Sequence, residues 1–108
     1  MTRRTMLGAA GLLAATPLWS SDDEEHRLKV ELDELSAKGW AAIDTVNAME
    51  RKALDEGHAL SAALATQRTL VQSSLEDAGE ALRENKLASV RERLTRARAH
   101  IDRLYKMI

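Results

Sequence analysis

Three histidines, five serines between residues 36 and 89 and no cysteine are the features of this 108-residue sequence that bear on its chemistry. Without a thiol there is no route to a disulfide, a thiolate metal site, an iron–sulfur cluster, covalently attached c-type haem or a cysteine nucleophile. A histidine metal site needs the rings to converge, alone or with carboxylates. The helical pattern developed below separates them. His26 falls near the start of a first helix and His58 at a turn, while His100 falls about 15 residues into a last helix, roughly 22 Å from its start. No His-Glu-x-x-His run and no Glu-x-x-His pair occurs. Asp55 and His58 are three apart but straddle Gly57. All three histidines therefore read as solvated surface residues. Ser36, Ser61, Ser73, Ser74 and Ser89 lie in helical segments without a neighbouring histidine. The glycines are scattered and form no phosphate cradle. The expectation is a chain with no catalytic residue, no enzymatic activity and no cofactor.

One pairing gives an alternative. Met49 lies on the inward seam of the first helix, and in a closed bundle His100 falls near its level. Methionine plus histidine is an axial pair used by b-type cytochrome bundles, so the alternative function is a metal- or haem-binding bundle with His100 and Met49 as ligands. Against it, a seam methionine is usually core, and His100 flanks its seam instead of occupying it.

The elements that must position these residues are helices. There is no Phe, the only proline is Pro17, and no stretch alternates apolar and polar residues as a strand does. A first helix is expected over about 22–56. Ser21-Asp22-Asp23-Glu24 reads as its capping box, and Leu28, Leu32, Leu35, Gly39, Ala42, Val46, Met49 and Ala53 as its heptad seam. Gly57 suits a left-handed helix end, although one continuous helix through it is the alternative. The second helix, about 58–84, carries Leu60, Leu64, Val71, Leu75, Ala78 and Leu82, with Gln67 and Ser74 interrupting the seam. Asn85 reads as a turn residue and N-cap. The third helix, about 86–107, has the seam Leu87, Val90, Leu94, Ala97, Ile101, Leu104 and Ile108. Two short turns joining three amphipathic helices predict an all-α fold. The expected architecture is an antiparallel three-helix bundle or helical hairpin with coiled-coil-like seams, occupying 21–108.

Charge is uneven along this path. Residues 22–57 carry 11 acids and 5 bases, whereas 86–108 carry 2 acids and 7 bases. A basic last helix beside an acidic first one accounts for this. The basic segment also offers weak docking on an anionic membrane surface. Gly39 allows close helix approach. Its neighbour Trp40 either covers the core or anchors a partner, with Tyr105 and Ile108 extending the same patch.

The first 20 residues have a different character. Thr2-Arg3-Arg4-Thr5-Met6-Leu7 precedes a Gly- and Ala-diluted apolar run to Ala15. This segment resembles a bacterial twin-arginine (Tat) export signal, with Arg3, Arg4, Met6 and Leu7 as its targeting residues. It departs from the pattern at Met6, where Phe is preferred, and at Gly8, where Lys is frequent. The resemblance implies recognition by the Tat export machinery, a periplasmic destination and a cut near Ser20. The alternatives are an ordinary secretory signal and an uncleaved segment that anchors the chain in the inner membrane. Export also removes nucleic acid as a partner. The function expected is that of a small exported bundle that binds another protein or itself without catalysis. A membrane-anchored coiled-coil envelope spacer is a further alternative.

Overall fold

The computed structural model describes the backbone from Gly8 to Ile108 and side chains from Asp23 onward. The chain is all-α. In order it forms α1 (Gly8–Asp55), α2 (Ala62–Arg83) and α3 (Leu87–Met107), with no strand among the described residues. The expected targeting residues Arg3, Arg4, Met6 and Leu7 lie outside the described residues.

Two helix starts differ from expectation. Helix α1 runs through Ser21, so Ser21 to Glu24 do not form its N-terminus. A capping box favours a start by only about 1 kcal/mol, so it does not oblige a helix to begin there. Helix α2 begins at Ala62, not near 58. Its N-cap is Ser61, whose hydroxyl accepts from the Leu64 backbone N–H at 3.4 Å. This serine satisfies one of the donors that every helix start leaves open.

Both turns end their helices by the same device. Gly57 has φ +82°, with His58 N–H donating to Ala53 O at 2.7 Å and Gly57 N–H to Leu54 O at 3.0 Å. Asn85 has φ +60°, with Lys86 N–H donating to Ala81 O and Asn85 N–H to Leu82 O, both at 3.0 Å. These paired bonds are the Schellman pattern, which satisfies the last carbonyls and turns the chain through one left-handed residue. Asn85 thus closes α2 and does not cap α3, whose N-cap Lys86 makes no side-chain cap bond.

The core is aliphatic throughout. Ala42, Ile43 and Val46 of α1 meet Val71, Leu75, Ala78 and Ala81 of α2 and Val90, Leu94, Ala97, Ile101 and Leu104 of α3. Each large side chain buried this way contributes roughly 1.5–3 kcal/mol. Gln67 and Ser74 are buried in step with the apolar residues of α2, so they continue its seam instead of interrupting it. The Gln67 side-chain N–H donates to the His100 carbonyl at 3.0 Å, which offsets the cost of burying the amide. Gly39 is buried where all three helices meet. A methyl group there would lie 2.7 Å from Leu75 Cδ1 and 3.2 Å from Ile101 Cδ1. A Cβ at position 39 would force these side-chain ends to shift, so the close approach of α1 favours glycine there.

Helices α1 and α3 are joined at a fixed offset. Arg91 pairs with Glu24, Arg98 with Glu31, and the Tyr105 hydroxyl donates to Lys38 O at 2.9 Å, each across 67 residues of sequence. Lys38 also pairs with Asp102 and lies over the Tyr105 ring at 5.7 Å. Helix α1 meets α2 through Arg68, which donates to Asn47 at 2.8 Å and to Glu50 at 2.9 Å.

Candidate interaction surface

Packing three cylinders leaves a groove along each seam, and the residues that flank the core decide what each groove presents. The α1–α2 groove, about 210 Å³, is lined by Trp40, Leu32 and Ser36 of α1 and by Leu75, Gly79 and Arg83 of α2. Trp40 follows Gly39, so the indole stands beside the point of closest approach yet remains 42% exposed. The α1–α3 groove, about 250 Å³, is lined by Glu24, Arg27, Leu28, Glu31 and Arg91. The α2–α3 groove, about 460 Å³, includes Thr66, Leu70, His100, Arg103 and Met107.

The structure separates the two expected anchors. Tyr105 bonds to the backbone of Lys38 on the α3 side of α1, whereas Trp40 lines the groove on the α2 side. Two residues along a helix turn it through about 200°, so Lys38 and Trp40 face opposite ways. Trp40 and Tyr105 therefore do not form one patch. Ile108 is exposed beyond the end of α3.

Met49 and His100 do not share a site either. Met49 is 37% exposed on α1 and is not a core residue. The connection to α2 stays non-helical through Ser61, so the last turns of α1 have less helix to pack against, and Leu54 is exposed there too. His100 is half-buried in the α2–α3 groove, which no α1 residue lines. His26 and His58 are exposed on other parts of the surface. Among the described residues, no three His, Cys, Asp or Glu side chains are grouped so that they could hold a metal ion.

The hydrogen bond from Arg68 holds the Glu50 carboxyl below its usual range; partial burial opposes this and the Arg68 charge adds to it. This Arg68–Glu50–Asn47 cluster fixes the height of α2 against α1. Sequence reasoning missed it because the partners are 18 and 21 residues apart on different helices. The α1–α3 contacts did leave a trace. Glu24, Glu31 and Lys38 recur every seven residues, as do Arg91, Arg98 and Tyr105.

Comparison of the chain with protein-family models, with curated proteins and with solved structures finds no match.

Proposed function

We propose that this chain is an exported, non-catalytic helical-bundle protein that acts by binding another protein or a second copy of itself. The bundle reads as up-down-up, each helix antiparallel to the next, with heptad-spaced seams. The constant offset of Glu24–Arg91, Glu31–Arg98 and Lys38–Tyr105 supports this. Two short turns bring a third helix back parallel to the first, and a seven-residue recurrence is the coiled-coil period. The observation that carries the binding role is Trp40, the largest apolar side chain of 21–108, left 42% exposed in the α1–α2 groove. Partly exposed tryptophan in a concave setting is a favoured anchor for a partner. Export rests on Thr2-Arg3-Arg4-Thr5-Met6-Leu7 and its resemblance to a Tat signal.

Two measurements test this reading. A photo-cross-linker placed at position 40 of the exported chain should give a discrete larger species; a band that stays monomeric removes the binding role. Replacing Arg3 and Arg4 by lysine should leave the chain in the cytoplasm, and unimpaired export removes the Tat route.

A second reading is favoured by the continuity of α1 from Gly8 to Asp55. An uncleaved N-terminal segment continuous with the bundle would make the chain an envelope spacer. Among the described residues, no helix is long and apolar enough to cross a membrane. The mass of the exported chain decides between the two: an intact N-terminus supports the spacer.

A further inference from the structure

We propose that the α2–α3 groove is a docking surface separate from the Trp40 groove and takes an acidic amphipathic helix of a partner protein. At about 460 Å³ this is the largest of the three interhelical grooves. Its α2 bank is Ala62, Thr66 and Leu70, and its α3 bank is His100, Arg103 and Met107. Gln67 lies between them, 5% exposed and bonded to the His100 carbonyl.

Charge distinguishes this groove from the other two. The α1–α3 groove has its own acids, Glu24 and Glu31, already paired with Arg91 and Arg98. The α1–α2 groove carries both Glu76 and Arg83. Among the described residues no carboxylate lines the α2–α3 groove, and α2 has none from Ala62 through Leu75. The two acids of α3 are engaged elsewhere, Glu92 with Arg96 and Asp102 with Lys38. Among the described residues Arg103 is in no ion pair, so its charge faces the groove uncompensated.

The apolar residues set the shape of the occupant. Gln67 lies against His100, and Arg93 donates to the Asp77 carbonyl. Leu70, 39% exposed, therefore stands near the His100 end of the groove and Met107 near the Ala62 end. His100 to Met107 spans about 10 Å, or two helical turns. A complementary helix carries apolar residues at i and i+7, with a carboxylate at i+3 or i+4 facing Arg103. Two apolar contacts two turns apart with a cation between them suit a helix better than a bilayer.

The probe is a labelled, alanine-based helical peptide with two leucines seven residues apart and a glutamate pair midway between them. Its control has lysines in place of the glutamates. Each is titrated with the full chain by fluorescence anisotropy. The glutamate peptide should bind saturably, about tenfold or more tightly than the lysine peptide, and Leu70→Ser should weaken it. Arg103→Glu should reverse the preference, because Arg103 is exposed and its replacement leaves the core intact, as circular dichroism will check. Three results overturn the inference: no saturable binding, glutamate-peptide binding unchanged by Arg103→Glu, or binding only to phosphatidylglycerol vesicles. Arg83→Glu, which reverses a charge of the α1–α2 groove, should leave the peptide bound. Loss of binding there would move the site to the α1–α2 groove, overturning this assignment but not the binding role. The cross-link at position 40 reports on that role independently.

Discussion

The two seams that hold α3 use opposite means. Against α1 it is tied by polar contacts at seven-residue intervals, Glu24–Arg91, Glu31–Arg98 and Lys38–Tyr105. Against α2, with which its contact is most extensive, it relies mainly on small and aliphatic side chains, with Gln67 and Arg93 each donating to a backbone carbonyl across the seam. Exposed ion pairs are worth at most about 1 kcal/mol each, so the α1 contacts fix register more than they add stability. The α2–α3 seam supplies the packing and leaves Arg103 unspent at its edge. The comparison teaches that charge of one sign on one helix can serve two purposes. Arg91 and Arg98 hold the fold together, whereas Arg103, on the same helix, faces an open groove.

The largest expected effect tests the packed side of that contrast. Ile101 is fully buried and reaches toward Gly39, so it belongs to both seams. Ile101→Ala should cost about 3 kcal/mol, measured by urea denaturation, through lost burial and the cavity left behind. Next comes Gly39→Leu. Helix propensity would gain about 1 kcal/mol, but the added side chain overlaps Leu75 and Ile101, and a net loss of about 2 kcal/mol is expected. A neutral result would mean that α1 can slide without cost. Gln67→Leu sharpens the comparison from the other direction. It removes a buried amide and keeps a similar volume, so stability should change by less than about 1 kcal/mol. A loss well beyond that would show that the α2–α3 seam depends on its hydrogen bond as the α1–α3 seam depends on its polar contacts.

The smallest effect is on the α1 side and depends on pH. The folded-state pKa of Glu50 is lowered by Arg68, so the folded state favours the charged carboxylate. Its contribution is present above the unfolded value of an ordinary glutamate and is lost as pH falls through the lowered folded value. The acid titration of thermal stability should therefore flatten slightly in Glu50→Gln compared with the parent chain. An unchanged acid limb removes Glu50 from the pH dependence.

Much of the architecture was legible in the sequence because helix seams are local patterns. The step of three and four residues through Val90, Leu94, Ala97, Ile101 and Leu104 marks the buried stripe of α3 without reference to any other helix. Gly57 and Asn85 mark the two turns because left-handed backbone favours those residue types. Buried Gln67 and Ser74 were misread as breaks because polarity alone does not reveal a partner carbonyl on another helix. The Ser21 capping box was misread because a cap preference does not oblige a helix to begin.

By itself the sequence determined that the chain is helical, where it turns and which stripe of each helix is apolar. These follow from backbone preference and periodicity, which act within a few residues. Only the tertiary structure decided which charges neutralise one another, and so which remain available. Arg91, Arg98 and Arg103 are chemically identical. Position around the α3 axis puts the first two beside acids of α1 and the third beside a stretch of α2 that has none. Rotation about α1 sets Trp40 and the Lys38 carbonyl that Tyr105 meets on opposite sides of that helix, and Met49 is exposed on α1 while His100 lies in the α2–α3 groove.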